Sequence, residues 1–133
     1  MNFEFRNSKE MDNPLYSKSK QLAINIVRLY KSLSSEKGEY ILSKQLLRSG
    51  TSIGANIREG KRAQSDADFV SKMSIALKEA EETLYWLEIL HDTDYITTDF
   101  DAFYEKTEEI VKILESVIRA KKYEMENSQT ISK

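Results

Sequence analysis

The amino-acid sequence predicts an all-α fold, an antiparallel up-down-up-down four-helix bundle. Three observations carry that expectation. Apolar residues recur at alternating spacings of three and four along four long segments, the period of one helix face. Glycine and proline, four and one in 133 residues, are too few for a chain of short strands and tight turns. Capping residues also fall where the segments break. The length suits one domain spanning 1–133, large enough to bury roughly two thirds of its unfolded surface.

Asn13-Pro14 pairs an N-cap with proline at the first helical position. Leu15, Leu22, Ile26, Leu29 and Leu33 mark one face, with Ser19 as a polar interruption. Helix 1 is therefore expected over about 14–36, ended by Gly38. Helix 2, about 39–59, carries Leu42, Leu46, Ser49, Ile53 and Ile57, with Gly60 expected just past its end. Helix 3, about 65–91, opens on Ser65 with Asp68 at capping-box spacing and Asp66 in the first turn. Its seam is Phe69, Met73, Ala76, Ala80, Thr83, Leu87 and Leu90. Helix 4, about 98–123, follows a turn at Asp92-Thr93-Asp94, with Thr97 or Thr98 as cap. Its seam is Phe100, Phe103, Thr107, Ile110, Leu114 and Val117, and residues 124–133 are expected to form a flexible tail.

Helices 3 and 4 carry more apolar surface than one face needs. Val70, Leu77, Leu84 and His91, with Ile75, Trp86 and Ile89, make a second stripe on helix 3; Tyr104, Val111, Ile118 and Ile113 do so on helix 4. Surplus apolar area favours self-association over a thicker intramolecular core.

The residues offer little for catalysis. There is no cysteine, so no thiolate chemistry or zinc knuckle. Glu88-Ile-Leu-His91 has the Glu-x-x-His spacing of a di-iron bundle, but one histidine cannot complete the second pair. Glu79, Glu81 and Glu82 read as a solvated face, with Lys78 four residues before Glu82. Nucleotide-loop and serine-elbow motifs are absent. The expectation is a protein that is not an enzyme and needs no cofactor or metal. With neither an apolar leader at the N-terminus nor a membrane-length apolar stretch, the expected location is the cytoplasm.

Helix 2 is the unusual element. Gly50 and Gly54 lie inside it beside Ser49, Ser52 and Ala55, each glycine costing about 1 kcal/mol against alanine. Close approach of another backbone would compensate, whether from helix 1, helix 3, a second subunit or a phosphate chain. Asn56, on the edge of the seam, is read as a structural hydrogen-bonder rather than a ligand contact. Charge is segregated as well. Residues 41–62 hold Lys44, Arg48, Arg58, Lys61 and Arg62 against Glu59 alone, whereas residues 79–109 hold eleven acids against Lys106. An antiparallel bundle then gathers Arg58, Lys61 and Arg62 with Lys18, Lys20, Arg119, Lys121 and Lys122 at one end. The other end collects Glu36, Glu39, Glu88, Asp92, Asp94, Asp99 and Asp101. A net charge of −2 does not prevent such a basic end from attracting phosphates. The poles could equally pair between subunits.

The run Gln45-Leu46-Leu47-Arg48-Ser49-Gly50-Thr51-Ser52-Ile53-Gly54-Ala55-Asn56-Ile57-Arg58-Glu59-Gly60 resembles the signature of the bacterial four helix bundle protein family. That family was first noticed as proteins encoded in intervening sequences of 23S ribosomal RNA genes, and some members carry a ribosomal-protein label. The resemblance continues through Phe69, Ile75-Ala76-Leu77-Lys78-Glu79-Ala80, Glu82-Thr83 and Tyr85-Trp86-Leu87, covering most of residues 15–120. Leu47 stands where members often have the first of two adjacent arginines, and Gly54 near a common proline. The resemblance implies a cytoplasmic bacterial protein and a ring-like homo-oligomer, with a pentamer the best guess. The chain is also similar to the accessory variability proteins of diversity-generating retroelements, basic pentamers that engage nucleic acid; this chain is acidic overall.

The leading expectation is a non-catalytic oligomer that binds RNA or DNA through Lys44, Arg48, Arg58, Lys61 and Arg62. Gly50, Ser52, Gly54, Asn56, Glu59 and Gly60 form the structural part of the motif. The alternative is a scaffold that binds only protein partners.

Overall fold

The computed structural model describes residues 13–132. Among these residues are four helices: α1 (Pro14–Lys37), α2 (Leu42–Lys61), α3 (Asp66–Asp92) and α4 (Phe100–Ser132). Each packs on its sequence neighbour, and α4 returns to α1 to close an all-α four-helix bundle. The cross-contacts run antiparallel: Ser19 meets Gly54 while Ile26 meets Gly50, and Glu59 pairs with Lys72 while Arg48 pairs with Glu82.

Local chemistry explains the helix ends. The Asn13 carboxamide oxygen accepts from Tyr16 N at 3.1 Å, and Pro14 supplies the preset φ of the first turn. Gly38 closes α1 in the left-handed region at φ 66°, where an L side chain is strained. Ser65 Oγ accepts from Asp68 N at 3.0 Å to open α3.

Three ends differ from the sequence expectation. The second helix starts at Leu42 rather than near Glu39, because the Glu39 carboxylate itself caps it. It accepts from Ile41, Leu42 and Ser43 N at 3.2, 3.1 and 2.7 Å. Gly60 is not a left-handed terminator. It lies in the last turn of α2 with α3 pressed against it, where an added Cβ would stand 2.4 Å from Met73 Cε. The fourth helix begins at Phe100, past Thr97 and Thr98, with the Asp99 carbonyl accepting from Phe103 N at 3.2 Å.

Residues 124–132, expected as a tail, continue α4 as helix. No glycine or proline interrupts the chain after Phe100, and Lys121 holds Glu124 one turn on at 3.3 Å. Lys133 and residues 1–12 lie outside the described residues.

The core is the predicted seam: Leu22, Ile26, Leu33, Leu46, Ile53, Ile57, Met73, Leu87, Leu90, Ile110 and Leu114 are all buried. Of the surplus stripes, Leu84, Val111 and Ile118 are buried too, and Val70, Leu77, Tyr104 and Ile113 pack half-buried against them. Much of that surplus thickens the core between α3 and α4. Ile75 and Tyr85 remain exposed, at 40% and 55%.

Candidate nucleic-acid interface

The two glycines inside α2 face α1. A Cβ on Gly50 would lie 2.4 Å from Ile26 Cδ1, and one on Gly54 would lie 3.2 Å from Ser19 Oγ and 3.8 Å from the Ser19 backbone. Of the four partners open to helix 2, helix 1 is therefore the one the glycines meet. The opposite edge of α2 uses the other small residues of the motif against α3. Buried Thr83 and Ser49 join their hydroxyls at 2.9 Å, and Gly60 admits Met73. Asn56 donates to the Ser52 carbonyl one turn back at 2.8 Å.

Close approach of α1 and α2 leaves an open groove along their outer face. Its volume is about 510 Å³, and it is lined by Tyr16, Lys20 and Ala23 from α1 and by Thr51, Gly54, Ala55, Arg58, Glu59 and Arg62 from the α2 side. Small residues make the floor. Lys20 stands on one wall, Arg58 and Arg62 on the other. Neither Lys20 nor Arg58 forms an ion pair among the described residues. The single acid, Glu59, is held by Lys72 of α3 at 3.3 Å. Lys61 sits beside the groove with its ammonium 5.4 Å from the centre of the Tyr16 ring.

The five candidate cations thus divide. Arg58 and Arg62 are together in the groove, Lys61 adjoins it, and Lys44 is exposed on the same side of α2 but about 20 Å further along the axis. Arg48 is on the other flank, toward α3. Its guanidinium bonds Glu79 at 3.1 Å and Glu82 through its second nitrogen. The hydrogen bond to Glu82 leads the causes that raise the Arg48 pKa, against burial, and the same bond leads those that hold Glu82 below the usual carboxylate range. Two carboxylates of α3 hold this arginine, and it does not line the groove.

Lys20 is the lining cation that the candidate set lacked. The sequence placed it at the basic end but gave no reason to prefer it to Lys18, which the structure ties to Glu109 at 2.6 Å. Lys121 is likewise engaged, by Asp66 at 3.5 Å and Glu124 at 3.3 Å. What selects Lys20 is its place on the α2-facing flank of α1, a pairing of helices that charge counting does not contain.

The Glu-x-x-His pair does not converge. The Glu88 carboxylate accepts from Tyr104 Oη at 3.3 Å, which with burial and the nearby charge raises the phenol's pKa, burial contributing most. The His91 ring instead stacks on Phe100 with centroids 4.1 Å apart. Among the described residues no three histidine, aspartate or glutamate side chains cluster as metal ligands, and none of the helices is long and apolar enough to cross a membrane.

A family model described as 23S rRNA-intervening sequence protein matches residues 11–116. Among solved structures, a protein of unknown function from the S23 ribosomal protein family of Bacteroides thetaiotaomicron VPI-5482 is 54% identical to this chain, with a TM-score of 0.77. The match covers 78% of this chain and 97% of that one. No curated protein matches.

Proposed function

The chain belongs to the 23S rRNA-intervening sequence protein family, and from that premise we propose that it is a non-catalytic, cytoplasmic, homo-oligomeric module that binds nucleic acid through the groove between α1 and α2. One observation carries this reading. Lys20, Arg58 and Arg62 converge on a concave surface whose single acid is already held by Lys72. Charges placed this way neutralise phosphates and release counterions, giving affinity with little sequence preference and a strong dependence on salt. The proposed contact set is therefore Lys20, Arg58, Lys61 and Arg62, with Lys44 further along and Arg48 left out.

The test is fluorescence anisotropy of a labelled mixed-sequence RNA at two salt concentrations, with the assembly state followed by light scattering. Arg58→Glu combined with Arg62→Glu is expected to weaken binding at least tenfold and to flatten the salt dependence by about one to two in log–log slope. An unchanged affinity and slope would remove the groove as the contact surface. A second reading, a scaffold that binds protein alone, draws support from Tyr40 and Ile41, which are 57% and 67% exposed at the acidic end. Undetectable RNA binding at low salt would favour it.

A further inference from the structure

Resting on the reading that the groove binds nucleic acid, we propose that Lys72 is a positioning residue for that binding, acting through Glu59. It stands on α3 and does not line the groove. Its ammonium takes up the carboxylate of Glu59, the one acid of the lining. That hold keeps the acid from competing with phosphate for the cations on the walls.

The last turn of α2 builds the contact. Gly60, next to Glu59, has no side chain, and a Cβ placed there would stand 3.3 Å from Lys72 Cβ. This turn of α3 therefore lies close against α2, and the Lys72 stem starts beside the acid that its ammonium reaches. Nζ lies 3.3 Å from Glu59 Oε2. Another acid is nearer in sequence. Asp68 precedes Lys72 by four residues, the spacing at which an acid and a lysine pair on one helix. The ammonium nevertheless crosses to α2. Glu59 and Gly60 of the helix 2 motif thus work as a unit, the glycine admitting the lysine that the glutamate holds.

Cohesion is not what this pair supplies. The Lys72 and Glu59 side chains are 33% and 60% exposed, and an ion pair so open to solvent contributes little to stability. Its effect is on local charge. Arg62 N donates to the Glu59 carbonyl at 3.1 Å, so Arg62 follows Glu59 by one turn, at the spacing where opposite charges pair. Lys20 lines the same groove from α1. Without Lys72, the Glu59 carboxylate turns to these cations, and a phosphate must then displace it.

The experiment is anisotropy of the labelled mixed-sequence RNA on the full chain across a series of salt concentrations. Lys72→Met keeps an unbranched stem and removes the charge. It is expected to weaken binding about fivefold and to flatten the log–log salt dependence by about one, the loss of one phosphate contact, with the melting temperature unchanged. Adding Glu59→Gln to Lys72→Met restores the wild-type net charge, and is expected to return affinity to within about twofold of wild type and to recover the salt slope. Asp68→Asn in the same Lys72→Met background makes an equal charge change on a residue that does not line the groove, and is expected to restore neither. A folded Lys72→Met variant with wild-type affinity and slope overturns the proposal. So does a Lys72→Met, Glu59→Gln variant that stays weak, or a rescue by Asp68→Asn as full as that by Glu59→Gln. In each of those cases, binding that is lost in Arg58→Glu with Arg62→Glu leaves the nucleic-acid reading standing. No RNA binding by the wild-type chain at low salt overturns both.

Discussion

The α1–α2 seam and the α3–α4 seam solve the same packing problem in opposite ways. Across the first, Gly50 leaves room for the Ile26 side chain and Gly54 for Ser19, so at those levels only α1 contributes a side chain to the seam. Across the second, the gap is filled by Leu84, Val111 and Ile118, and at the acidic end by the stack of His91, Phe100 and Tyr104. A seam filled with bulk is built for cohesion. A seam of small residues gives up apolar burial and helix propensity, and what it forms here is a shallow outer groove with cations on both walls. The costly residues of α2 and the proposed binding surface are thus two faces of one feature.

The comparison breaks most sharply at Gly54. Gly54→Leu must place a side chain where a Cβ alone stands 3.2 Å from Ser19 Oγ and 3.8 Å from the α1 backbone. Relief requires the helices to part, and the expected loss in urea unfolding is about 3 kcal/mol or more. Leu84→Ala on the bulky seam creates a cavity instead, and is expected to cost about 2–3 kcal/mol, with RNA affinity unaffected. If Gly54→Leu unfolds at the wild-type midpoint, close approach is not what holds α1 to α2.

Much of the fold was legible because helix periodicity and caps are local. Asn13, Pro14, Gly38 and Ser65 act where the sequence placed them, and the buried seam residues are those that the spacing marks. Gly60 was misread because a glycine at a helix end has two uses, and only the position of Met73 on a neighbouring helix tells which applies. The site was less legible for the same reason. Counting charge along α2 groups Arg48 with Arg58, yet Glu79 and Glu82 of α3 reach Arg48 and neither pairs with Arg58. Lys20 was hidden by the converse: its partners in the groove are on another helix.

A smaller effect tests how the connection between α1 and α2 is fixed. Burial raises the pKa of Glu39, but hydrogen bonds from Ser43, Leu42 and Ile41 outweigh it and leave the carboxyl below its ordinary value. A depressed folded-state pKa stabilises the fold above the unfolded value and loses that stabilisation as pH falls through the folded value. Glu39→Gln is therefore expected to cost about 1–2 kcal/mol at neutral pH. It should also flatten the stability profile on acidification below about pH 4. Denaturant midpoints from neutral to acid pH measure both, and a variant that keeps the wild-type acid slope would show that Glu39 does not carry it.

The smallest effect belongs to Arg48, and it isolates the two flanks of α2. Its side chain is 49% exposed, and Glu79 and Glu82 are 14% and 30% exposed, so solvent screens the pair and the coupling is expected to stay under about 1 kcal/mol. A double-mutant cycle of Arg48→Ala with Glu82→Gln measures it. The chain's one tryptophan, Trp86, donates to Glu82 Oε1 at 3.3 Å, so its fluorescence should respond to either substitution. Arg48→Ala is expected to leave RNA affinity within about twofold of wild type, because Glu79 and Glu82 beside Arg48 repel a phosphate there. A loss as large as that from Arg58→Glu with Arg62→Glu would mean that nucleic acid reaches the α3 flank as well. The division of the α2 cations between the α3 flank and the groove would then fail.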